Sequence, residues 1–98
     1  MSLELHAESE SDGITCWSTV TVNVSAQDLS GGSYPVKGVN ITLHGVPWFN
    51  SGPVSTPHYS KTLVFETGCG ESFIFEATAT NSADMHATTG GGIVTPVP

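Results

Sequence analysis

The two cysteines, Cys16 and Cys69, and the four histidines, His6, His44, His58 and His86, have the greatest capacity for chemistry in this sequence. A structural zinc site needs four ligands at characteristic spacing, and two isolated cysteines without a neighbouring histidine pair do not supply them. No two histidines stand at the interval of a metal-binding pair, so they read as surface residues. Cys69 sits in Gly68-Cys69-Gly70 with no His or Lys nearby in sequence to lower its thiol pKa, and no strand-turn-helix setting presents a serine. Glu71 and Glu76 differ in parity along one extended segment and point to opposite faces, which removes them as an acid–base pair. No catalytic residue and no cofactor is expected, and the chain reads as non-enzymatic.

Two further ligand patterns fail on spacing. Cys69, Met85 and His86 are the ligand types of a blue-copper centre, but a whole strand separates the cysteine from the methionine. Glu8-Ser9-Glu10-Ser11-Asp12-Gly13 offers oxygens of the kind calcium takes, without the ligand set or register of an EF-hand, and reads as a solvated loop. The cysteines are left as a disulfide or as reduced core thiols.

Composition narrows the partners. Only Lys37 and Lys61 oppose nine acidic residues, for a formal charge of −7, so a phosphate backbone is repelled and nucleic acid is excluded. The same deficit removes any polybasic membrane patch, and no apolar run approaches the ~20 residues of a span. Met1-Ser2-Leu3 leads directly into Glu4 with no apolar signal region. The chain is then either cytosolic or a trimmed piece of a larger protein; the abrupt ending Ile93-Val94-Thr95-Pro96-Val97-Pro98, like a last strand running into a linker, favours trimming, and Met1 to Leu3 then read as a cloning remnant. The 98 residues, 38% of them apolar, make one domain spanning 1–98, with 95–98 opening a linker.

The elements that must position these residues are strands. Val20, Val22 and Val24 alternate with Thr19, Thr21, Asn23 and Ser25 and predict a strand over 14–26. Ser30-Gly31-Gly32-Ser33-Tyr34-Pro35 is a turn cluster, after which Val39, Ile41 and Leu43 alternate with Asn40, Thr42 and His44. Leu63 and Phe65 repeat the pattern, Thr67-Gly68-Cys69-Gly70 breaks it, and Phe73, Phe75, Ala77 and Ala79 resume it. A weak first strand at 3–7, a last one at 93–97 and a possible seventh within 46–57 predict an all-β antiparallel sandwich of about seven strands.

The run Val20 to Asp28 with Gly31-Gly32, Pro35-Val36, Gly38-Val39 and Ile41-Thr42-Leu43 resembles the front half of bacterial immunoglobulin-like domains of surface proteins. Phe73 to Asn81 is similar to the penultimate strand of fibronectin type III domains. Together they cover about half the chain. The resemblance implies an immunoglobulin-like fold and a spacer, adhesion or carbohydrate-associated module, extracellular or at the cell surface, whose partners are neighbouring domains and a protein or glycan ligand. In such a sandwich the second and sixth strands start at the same end of facing sheets. That brings Cys16 and Cys69 together as a disulfide, and a disulfide places the domain in an oxidising compartment.

Gly45 to Tyr59 holds three prolines together with Trp48, Phe49 and Tyr59. One reading makes these aromatics, with Trp17, a protein- or glycan-binding platform. The other makes the segment a crossing between sheets with Trp48 as a lid on the core. Asn23-Val-Ser25 and Asn40-Ile-Thr42 are formal N-glycosylation sequons on polar strand faces.

Overall fold

The computed structural model describes residues 1–11 and 13–97, so Asp12 of the acidic segment and Pro98 of the expected linker lie outside the described residues. Seven strands follow in order: β1 Ser2–Ser11, β2 Trp17–Gln27, β3 Val36–Leu43, β4 Val46–Asn50, β5 His58–Gly68, β6 Ser72–Asn81 and β7 His86–Val94. They form a three-stranded sheet β1-β2-β5 and a four-stranded sheet β4-β3-β6-β7. Every pairing is antiparallel. The fold is an immunoglobulin-like antiparallel β-sandwich, with no helix among the described residues.

Alternation builds the core. On β2, Val20, Val22, Val24 and Ala26 are buried; on β6, Phe75, Ala77 and Ala79 are buried, facing inward with Val39 and Ile41 of β3. Asn40 and Glu76, of opposite parity, are exposed. Phe65, expected to be as buried as Phe75, is only half-buried. It lies on β5, an edge strand of the three-stranded sheet. Towards one end the core changes character, and the rings of Phe65, Phe73, Phe75 and Trp48 pack with centroids 5.3 to 6.5 Å apart.

Several element boundaries differ from those the sequence predicts. The first strand runs the whole of Ser2–Ser11, with Leu3, Leu5 and Ala7 packed on the core. The second begins at Trp17, not at residue 14. The last occupies His86–Val94, not 93–97. It contains Gly90-Gly91-Gly92, and β1 lies so close to β7 that a Cβ at Gly91 would meet Leu5 Cδ2 at 3.3 Å. Glycine is there to let a neighbouring strand approach.

The seventh strand hidden in the proline-rich segment is β4, which tolerates Pro47 because an edge strand is bonded on one side only. Its register shifts, with Ile41 paired to Phe49 and Thr42 to Pro47, so Trp48 is the extra residue of a β-bulge. The turn before it, His44-Gly45, has positive φ at both positions (51° and 78°), the backbone of a two-residue hairpin whose twist matches its strands.

The molecule is long, about 50 × 22 × 18 Å, and its chain ends lie at opposite poles. Ser2 pairs with Gln27 at the pole formed by the β2–β3, β4–β5 and β6–β7 loops. The other pole carries the β1–β2 loop, the His44-Gly45 turn, the β5–β6 turn and the last residues, where Thr95 N donates to Glu71 O at 2.8 Å.

Candidate functional site

The second pole is stapled. Cys16 and Cys69 form a disulfide across 53 residues of sequence. They extend the β2–β5 ladder by one register step beyond the Trp17–Gly68 pair, and Cys69 N donates to Cys16 O at 3.0 Å. The bridge thus runs between neighbouring strands of one sheet and not between facing sheets. Cys69 lies in the turn between β5, which ends at Gly68, and β6, just before the sixth strand as the sequence predicts, but its partner strand is β5 and not a strand of the facing sheet. Thr95, 1% exposed, secures the same turn: its Oγ1 donates to Gly68 O at 2.9 Å and accepts from Glu71 N at 2.8 Å.

The first pole is held by a carboxylate. Asp28 follows the end of β2 and accepts from Ser30 Oγ and from the backbone N–H groups of Ser30, Gly32 and Tyr34. These donors, Ser30's hydroxyl foremost, hold the Asp28 carboxyl below the usual carboxylate range. Asn81 does the corresponding work in the β6–β7 turn, its Oδ1 accepting from Ala83 N and Met85 N at 3.0 Å each. The two loops are tied by Ser82 N donating to Pro35 O at 2.9 Å and by the Lys37–Asp84 ion pair. The Lys37 ammonium, by hydrogen bond first and charge second, lowers the Asp84 pKa. Sequence reasoning passed over Asp28, Asn81 and Thr95. For Asp28 the signal was present, because Asp28-Leu29-Ser30-Gly31-Gly32 is an Asx-turn sequence whose side chain bonds backbone two residues on.

The four aromatics named from sequence do not converge on one surface. Trp48 is partly buried, its ring 5.7 Å from Phe65 and 5.3 Å from Phe75, so it closes the flank where β4 and β5 face each other. Phe49 packs on the core as well. Adjacent residues of a regular strand point opposite ways, and the bulge suspends that rule here. Tyr59 pairs with Ala26, nine register steps from the Trp17–Gly68 pair, or about 30 Å along the sheet. Trp17 stands apart, 61% exposed on the outer face of the three-stranded sheet, opposite a glycine that leaves room beside the indole. A shallow recess on the β3–β4 flank unites only Trp48 and Phe49, beside Asn40, Thr42 and Asn50.

Among the described residues no group of three His, Cys, Asp or Glu side chains is placed to hold a metal ion. The histidines are exposed, and three of them bond neighbouring strands: Ser25 Oγ with His58 Nε2 at 2.9 Å, His44 Nε2 donating to Ser72 O at 3.1 Å, and Thr80 Oγ1 with His86 Nδ1 at 2.9 Å. The chain is defined by these features as a disulfide-stapled β-sandwich domain. Comparison with family models, with curated proteins and with solved structures returns no match.

Proposed function

We propose that this domain is a non-catalytic structural or adhesive module of a larger exported or cell-surface protein, of the bacterial immunoglobulin-like or fibronectin type III-like kind that its sequence resembles. The observation that carries the reading is the placement of the chain ends at opposite poles of a 50 Å axis. A chain that enters at one pole and leaves at the other adds the length of the domain to whatever it connects. The disulfide supports export, because such bonds persist in oxidising compartments. Splicing the chain between two fluorescent reporter domains tests the spacer role. Energy transfer should report a separation increased by about the length of the sandwich, with the domain's melting temperature unchanged. Loss of folding when both ends are loaded would overturn the reading.

A second reading is a carbohydrate-binding module, or an accessory module of an extracellular hydrolase. It is favoured by the recess in which Trp48 and Phe49 lie beside Asn40, Thr42 and Asn50. Ring faces with adjacent amides and hydroxyls are what a sugar requires, apolar area plus a few directed hydrogen bonds. With Trp17 replaced by Phe, Trp48 becomes the only indole, and a saturable fluorescence shift with one polysaccharide of a panel would establish this reading over the first.

A further inference from the structure

Two recesses meet at one side chain of the four-stranded sheet. Asn40 lies on the outer face, between Asn50 of β4 and Thr78 of β6. On one side opens the recess of about 500 Å³ that holds Trp48, Phe49 and Thr42. On the other opens a second, of about 420 Å³, lined by Lys37, Gly38, Gly52, Pro53 and Thr80. Asn40 and Asn50 border both, and each volume lies in the range of small-molecule sites, about 300–1,000 Å³. A Cβ at Gly38, two residues along on the same face, would meet only Gly52 O, at 3.9 Å. The glycine leaves room beside Asn40 for a branch.

Asn40 is also the acceptor position of Asn40-Ile41-Thr42, one of the two N-x-S/T sequences in the chain. The fold sets the two apart. Asn23 is half-buried on the outer face of β2 with His6 and Thr62 directly beside it, and its Oδ1 accepts from Thr62 Oγ1 at 2.7 Å. Asn40 is exposed, and its amide has no partner among the described residues.

We infer that Asn40 carries an N-linked glycan whose first sugar lies in the Trp48–Phe49 recess. The inference rests on the export in the module reading, because the glycan donor meets chains on that route. Asn40 Nδ2 attacks the anomeric carbon of a polyprenyl-diphosphate-linked oligosaccharide. The carbon–oxygen bond to the diphosphate breaks, the diphosphate leaves with the electron pair, and the amide nitrogen gives up one proton to the transferase.

Reach and chemistry place the sugar. Neighbouring strands lie about 4.7–4.9 Å apart, so a ring joined to Asn40 Nδ2 extends over β4 and meets the recess with its first residue. A pyranose carries C–H bonds on its faces and hydroxyls around its rim. The partly exposed rings of Trp48 and Phe49 take a face, and Asn50 and Thr42 take the rim. The recess is then filled by a sugar tethered to the chain and not by a free polysaccharide.

The test secretes the full chain from a eukaryotic host that holds an oligosaccharyl transferase. Intact mass should show one glycan, and peptide mapping should place it at residue 40. Asn40→Gln and Thr42→Ala should each abolish it, whereas Asn23→Gln should leave it in place. Asn40 is exposed, so Asn40→Gln should still fold and form the disulfide. In a Trp17→Phe background Trp48 is the sole indole. Trimming the glycan to its single attached sugar should leave the acrylamide quenching of Trp48 unchanged, and complete enzymatic removal should raise it. A secreted, disulfide-bonded chain with Asn40 unmodified would overturn the site while leaving export standing; titratable thiols in that chain would instead remove export itself. A glycan on Asn23 alone would overturn the assignment. Quenching that does not change on complete removal would overturn the seating of the sugar in the recess.

Discussion

Replacing Cys16 and Cys69 together by alanine removes a cross-link that spans 53 residues. On the chain-entropy model a link of that span restricts the unfolded chain by about 4 kcal/mol. Little of this should come from native packing. Cys16 is exposed, and the turn it joins is already secured by the Cys69–Cys16 backbone bond and by Thr95. The loss therefore lies in the unfolded state, with two consequences. For a domain of this size 1 kcal/mol corresponds to about 4–8 °C, so the melting temperature should fall by about 15–30 °C. Unfolding of the uncross-linked chain should also expose more surface, which raises the denaturant m-value. Calorimetry and urea titration of the oxidised protein, the reduced protein and the double-alanine variant measure both, and the last two should agree. A fall below about 5 °C with an unchanged m-value would refute the argument, because the bond would then be constraining nothing that the ladder does not already hold.

Protein purified without reductant should show no titratable thiol after denaturation, since neither cysteine is free; two thiols by colorimetric titration would remove the support for export. Phe75 is fully buried among Trp48, Phe65 and Phe73, so Phe75→Ala should destabilise by about 3–5 kcal/mol in chemical denaturation. Trp48→Ala should cost about 2–4 kcal/mol, because the indole is partly buried, against about 0.5 kcal/mol for exposed Trp17→Ala; the reverse ranking would mean that Trp48 does not close the flank. Asp28 titrates below its unfolded value, so its contribution is complete above about pH 4 and is lost as the pH falls through the lower folded pKa. Asp28→Asn should flatten the acid limb of the stability curve and speed amide exchange at Gly32 and Tyr34, whose N–H groups it holds.

Period-two alternation determined most of this fold before any tertiary information. Val20 to Val24 and Phe73 to Ala79 could only be strands with one apolar face, and that parity correctly assigned Val22, Ile41 and Phe75 to the core. The turn chemistry at Ser30 to Pro35 was equally local. Side-chain pattern alone could not determine which strands would be neighbours. Pattern put the last strand at 93–97, and only the approach of Leu5 to Gly91 explains why the glycine run belongs to β7. Trp48 and Phe49 read as facing opposite ways until the bulge against β3 brings both onto the core. The disulfide was anticipated as a pair, but its place within one sheet followed from the β2–β5 register. In each case the missing information was a contact between segments far apart in sequence, which no local propensity encodes. The same holds for the two poles: Ile14, Leu29, Tyr34 and Val97 are scattered along the chain as single apolar residues, and only the antiparallel winding of seven strands gathers them at opposite ends of one axis.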